Sequence, residues 1–257
     1  MGKIIAVHSY KGGTGKTLLS VNLAAALARK GRNVCLFDLD FRAPSLSALL
    51  KVKAEYWLND YLNGTCEIDK VLINLTGRLS NSGKFFVGLA NPTTEAIREM
   101  SAKDRRWEMH ALGRLLSLRN SLLNNGFDYL IFDTSPGLQY SSINAIVTAD
   151  LVLVASTFDK SDIEGTKRML RELYDLFEKK TGIIINKVLY DESLRNTEDV
   201  RKSMEQTYQS PILGAIPCFC DVSKAKGTII FVEEKRSHPF TKILNKIAEK
   251  IDEMKVN

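Results

Sequence analysis

Along the chain, short apolar runs alternate with longer stretches in which apolar residues return at the helical period, the pattern of βα units building a mostly parallel sheet. The runs at residues 3–8, 33–37, 84–89, 129–132, 151–155, 182–185 and 212–215 predict strands. Residues 16–29 predict a helix with Leu19, Leu23, Ala26 and Leu27 on one face and Gly31 as its stop. Residues 107–124 predict another. Residues 163–179 predict a third, with Met169, Leu170, Leu173, Leu176 and Phe177 as an apolar stripe expected to face the core. No repeat, low-complexity tract or linker rich in Pro, Gly or Ser interrupts this pattern. A single α/β domain over residues 1–257 is the expectation.

Composition narrows the class. With 44% apolar and 26% charged residues in 257, the chain has enough apolar content for a substantial core, which argues against disorder. Its longest apolar runs, such as 183–185 and 228–232, fall far short of the roughly 20 residues a membrane-spanning helix needs. The N-terminus enters an apolar run at once, without the charged, apolar and small-residue succession of a secretory signal. Four scattered cysteines make no disulfide framework, and a cytoplasmic, reducing location is expected. The net charge of +6 gives a general attraction to anionic partners such as nucleic acid or an acidic membrane surface.

The chemistry is concentrated after the first strand, in Ser9-Tyr10-Lys11-Gly12-Gly13-Thr14-Gly15-Lys16-Thr17, which leads into the first helix. Glycines allow unusual dihedrals, so that successive N–H groups point at phosphate oxygens, and the helix N-terminus adds partial positive charge. Lys16 is placed to bridge outer phosphates and the Thr17 hydroxyl to ligate Mg²⁺, with Gly12, Gly13, Thr14 and Gly15 as the cradle. Tyr10 stands where the plain phosphate loop has its first glycine, and Lys11 follows it. A second lysine inside the loop marks the deviant Walker A group.

On these residues the chain resembles the ParA/MinD family of ATPases. The resemblance implies a three-layer P-loop NTPase fold, a mostly parallel twisted β-sheet with helices on both faces, that binds ATP and Mg²⁺ and hydrolyses ATP slowly. It gives Lys11 the role of reaching across an ATP-dependent homodimer to the partner's nucleotide. Two further stations fit it. Phe37-Asp38-Leu39-Asp40 places two carboxylates at a strand end, and the resemblance assigns Asp40 to the hydrolytic water and Asp38 to support near Mg²⁺. Tyr129-Leu-Ile-Phe-Asp133-Thr-Ser-Pro-Gly137 reads as the Walker B strand, with Asp133 holding Mg²⁺ through water and the Pro136-Gly137 turn sensing the γ-phosphate.

Farther on, the resemblance makes Asn186 a base-reading residue and places Pro217 near the base. ATP is expected rather than GTP, because Asn186-Lys187 is followed by Val188 and Leu189 instead of the guanine pattern. The three histidines do not cluster in sequence, and no covalent nucleophile is paired with a base. Catalysis is therefore expected to be positioning and charge neutralisation.

Three possibilities stand open for what such a switch acts on, alongside a stimulating partner protein. Residues 98–119 carry six basic residues (Arg98, Lys103, Arg105, Arg106, Arg114, Arg119) against three acids (Glu99, Asp104, Glu108), which suits non-specific DNA or an ordinary solvated face. The last helical pattern, from Pro239, sets Phe240, Ile243, Leu244, Ile247, Ile251 and Met254 on one side, which suits a membrane surface or, more simply, packing on the sheet. Cys218 and Cys220 suit a metal held between subunits, as in maturation ATPases. Chromosome partitioning, cell-division or other spatial positioning is the functional expectation, with nucleoid or membrane association in the ATP state left open.

Overall fold

The computed structural model describes residues 2–80, 82–189, 196–225 and 229–254; Lys255, Val256 and Asn257, and Thr228 in the apolar run noted above, lie outside the described residues. Eight strands form one sheet: β1 (Lys3–His8), β2 (Val34–Leu39), β3 (Ile73–Asn74), β4 (Phe85–Gly88), β5 (Tyr129–Thr134), β6 (Leu151–Ser156), β7 (Lys180–Val188) and β8 (Ile212–Pro217). Their order is β3-β4-β2-β5-β1-β6-β7-β8. Only the β3–β4 pairing is antiparallel among the described residues. All seven expected strands are present, most of them longer than the apolar run that announced them; the two-residue edge strand β3 left no period to read.

The longer helices are α1 (Lys16–Arg29), α2 (Thr94–Ser101), α3 (Arg105–Asn124), α4 (Tyr140–Thr148), α5 (Lys160–Met169), α6 (Thr197–Tyr208) and α7 (Pro239–Glu253). Every residue of β2, β5 and β6 is buried, as parallel strands covered on both faces must be. Ile4 and Ala6 face one core with residues of α3, α4, α5 and α6, while Ile5 and Val7 face another with α1 and α7. The result is three layers, helices on both faces of the sheet. At the edge where strands begin, α7 is tied back to the start of the chain. Lys3 Nζ donates to the carbonyls of Ile251 and Asp252, each at 2.7 Å. The Asp252 carboxylate takes Tyr129 Oη at 2.5 Å and Arg32 at 2.7 Å.

Two expectations change. The predicted helix over 163–179 is α5 from Lys160, followed by a π-helical turn, Leu170–Tyr174. Met169, Leu170 and Leu173 are buried, but Leu176 and Phe177 are exposed. The wider turn shifts the helical phase and the helix ends after Tyr174, so the far end of the stripe leaves the core. The apolar side of α7 is not available to a membrane: Phe240, Leu244, Ile247 and Ile251 are buried against α1 and β8. No helix among the described residues is long and apolar enough to cross a membrane.

Candidate nucleotide-binding site

β1 lies between β5 and β6, so the connections leaving its carboxyl end and that of β5 pass to opposite faces and open a crevice there. The phosphate loop turns in that crevice. Gly13 and Gly15 have φ of 78° and 95°, where an L side chain is strained, and a Cβ on Gly15 would run into Asn186. α1 then starts with no side-chain cap and no acid in its first turn, which leaves its first N–H groups to an anion.

Lys16 is buried at the loop's end with Nζ 3.0 Å from Ser9 Oγ. Burial lowers its pKa, opposed by Asp133 and Asp40. Asp133, fully sequestered at the end of β5, accepts Ser20 Oγ on Oδ1 at 2.9 Å, while its buried Oδ2 has no hydrogen-bond partner among the described residues. Burial pushes its carboxyl up to about 6, against the pull of the Thr17 and Ser20 hydroxyls and Lys16. An unpartnered buried carboxylate oxygen close to Thr17 and Lys16 suits a hydrated Mg²⁺, whose waters would satisfy it.

Asp40 stands across the crevice, half-buried, with Oδ1 accepting Ser135 Oγ at 2.7 Å and the Ala43 N–H at 3.1 Å. Gly12, Gly13, Gly15, Lys16, Thr17, Asp40, Arg42, Ser135, Pro136 and Gln139 enclose one cavity of about 460 Å³. Asp38 is opposite Asp133 in the β2–β5 ladder but does not line that cavity. Its carboxylate takes the N–H groups of Asp40, Ser45 and Leu46 at 3.1, 3.2 and 3.1 Å, and so shapes the loop that presents Asp40. Burial, with Asp133 adding to it, raises Asp38 well above the usual carboxylate range.

Lys11 projects at the rim, half-exposed, and is held by its own subunit: Nζ donates to Asp159 Oδ1 at 2.8 Å and to Ser161 Oγ. Asp159 caps α5, and the lysine beside it holds its carboxyl far below the ordinary range.

At the other end of the crevice, Gly15, Leu18, Asn186, Lys187, Pro217, Cys218, Phe219 and Phe240 line a second cavity of about 320 Å³. The two expected base-side residues, Asn186 and Pro217, thus come together and adjoin the phosphate loop. Asn186 Nδ2 donates to the Thr14 carbonyl and Lys187 Nζ to that of Gly13, both at 2.7 Å. Cys218 and Cys220 are exposed and free, and among the described residues no group of three or more His, Cys, Asp or Glu is placed to hold a metal. Of the six basic residues in 98–119, three are engaged internally. Lys103 pairs with Glu99, Arg119 pairs with Asp150, and Arg114 donates to the carbonyls of Tyr61 and Cys66. Sequence reading missed Arg42, Ser135, Gln139, Asp159 and Ser161, which acquire roles only through neighbours distant in sequence.

A phosphate loop after the central strand, a buried carboxylate beside its Lys-Thr end and a second carboxylate across the cleft define a P-loop nucleoside triphosphatase. The comparisons agree. A family model described as an AAA domain matches residues 2–187. The septum site-determining protein MinD of Synechocystis sp. is 29% identical over 243 residues, 93% of this chain and 85% of that protein. The structure of MinD complexed with Mg-ADP from Pyrococcus horikoshii superposes with TM-score 0.80 at 22% identity, covering 98% of this chain and 97% of that one. A plasmid partition protein from Borrelia burgdorferi superposes with TM-score 0.71 at 20% identity, covering 97% of each chain. This chain belongs to the ParA/MinD family of P-loop ATPases.

Proposed function

We propose that this chain is an ATP-driven dimerising switch for spatial positioning in the cell, of the septum-positioning kind its relatives represent, and that all 257 residues act as one such domain. The observation that carries this reading is the convergence on one cavity of Lys16, Thr17 and Asp40, with the unpartnered oxygen of Asp133 behind them.

Thr17 and Asp133 would hold Mg²⁺, the acid through water, and Asp38 would support that shell through the loop it anchors. Mg²⁺ supplies charge neutralisation at the outer phosphates. The loop amides and Lys16 bind and orient the triphosphate, while Asn186 and Pro217 frame the adenine. Asp40, braced by Ser135, orients the attacking water. Lys11 leaves Asp159 when a second subunit arrives and completes the partner's site, and hydrolysis releases it. Turnover is slow in the isolated chain and is stimulated by a partner protein.

Asp40→Ala protein with ATP and Mg²⁺ is expected to run as a stable dimer by light scattering, with turnover lost, and Lys11→Ala is expected to remain monomeric. Normal turnover by Asp40→Ala would remove the water-orienting role, and an Asp40→Ala protein that stays monomeric with ATP, or a Lys11→Ala protein that dimerises, would remove the cross-subunit role of Lys11. Sedimentation of the trapped dimer with DNA and with anionic liposomes then identifies the surface it works on; with α7 packed on the sheet, liposome binding would require another face.

A further inference from the structure

His8 follows Ile4 and Ala6 on the face of β1 that looks into the core shared with α4 and α5, and it is a fully buried polar side chain in that row. Both ring nitrogens are engaged. Nε2 lies 2.9 Å from the carbonyl oxygen of Gly137, and Nδ1 lies 2.6 Å from Tyr174 Oη. A carbonyl can only accept, so Nε2 carries the proton, and Nδ1 accepts the tyrosine O–H. One neutral tautomer satisfies both bonds.

The two ends of this bridge are special places. Gly137, at φ 73°, belongs to the turn expected to sense the γ-phosphate, and its N–H donates to the Ser9 carbonyl at 2.9 Å. Both polar backbone groups of Gly137 are therefore held by His8 and Ser9, where β1 passes into the phosphate loop. Tyr174 is fully buried and closes the π-helical turn after α5; π turns cost hydrogen-bond geometry and concentrate at functional sites. The loop meets the same helix twice more. A Cβ on Gly165 would collide with the Tyr10 ring, and Lys11 reaches Asp159 and Ser161. Two residues before Gly137, Ser135 braces Asp40.

We infer that His8 is a positioning residue for ATP hydrolysis: by tying the Gly137 carbonyl to Tyr174, it holds the γ-phosphate turn at the height from which Ser135 orients Asp40, and joins that turn to α5. This rests on the proposed role of Asp40. Without the tyrosine hydroxyl, Nδ1 loses its donor and the ring its anchor on the π-helical turn, so the Gly137 carbonyl is left bonded to an imidazole that is no longer held at its far end.

Tyr174→Phe keeps the ring and removes only the hydroxyl. It is expected to lower kcat about tenfold with KM for ATP within about threefold of wild type, the size of one lost buried hydrogen bond expressed in the transition state. Hydrogen exchange supplies an independent reading on the wild-type chain. Adding AMPPNP with Mg²⁺ should slow exchange at residues 135–141 and 170–177 together, and in Tyr174→Phe at the first segment only. An unchanged kcat in folded Tyr174→Phe would overturn the inference, as would a rise in KM that accounts for the whole loss, or a wild-type response confined to 135–141. If instead wild type and Asp40→Ala are equally inactive or equally active on ATP, the catalytic reading itself falls.

Discussion

At the scale of the residue, burial decides what each ionisable group does. His8 sits where nothing acidic compensates its charge, and burial lowers its pKa to about 4. The unfolded chain, titrating near 6.5, therefore binds the extra proton first, so this residue's contribution to stability is complete above pH 6.5 and is lost as pH falls towards 4. Going from pH 7 to pH 5 is expected to remove about 2 kcal/mol through His8. Urea unfolding of wild type against His8→Gln at both pH values checks it: the difference between the two proteins should shift by that amount. Lys16→Ala is expected to abolish nucleotide binding, measured by calorimetry, because the replacement removes the buried cation facing the outer phosphates. The motif residues were legible because their order and spacing are local. Ser135, Asp159 and Tyr174 were not, since each matters through a partner far away in sequence, and no period or motif announces such a meeting.

At the scale of the element, continuous apolar runs announced the strands because parallel strands are buried on both faces, and the first helix was read with its bounds intact. The failure at 163–179 has a physical cause: periodicity assumes a constant 3.6 residues per turn, and one wider turn invalidates the phase beyond it. Residues 46–78 fold into short helical pieces and a two-residue strand, too brief for any period to emerge. The last helix shows the converse ambiguity, since an apolar stripe reads alike whether it meets lipid or a sheet. Leu244 is fully buried in α7, and Leu244→Ala should cost about 2–5 kcal/mol in chemical denaturation. A cost under about 1 kcal/mol would mean that this helix is not docked as described.

At the scale of the whole molecule, the site joins residues from position 12 to position 240, so ligand binding and folding are linked. ATP with Mg²⁺ at about 100 times its Kd should stabilise the chain by about 2.7 kcal/mol, seen as a higher Tm, and Lys16→Ala should show no such rise. The same architecture bears on how the chain is made. The central strand β1 is synthesised before its ladder partner β5, which begins at Tyr129, the register partner of Lys3. At about 5–20 residues per second, a ribosome needs roughly 6–25 s to bridge that interval. During it an apolar strand and its glycine-rich loop have no lateral partners, so no nucleotide can rescue the nascent protein early. The segment that waits unpaired during that interval is the very one that later grips the phosphates.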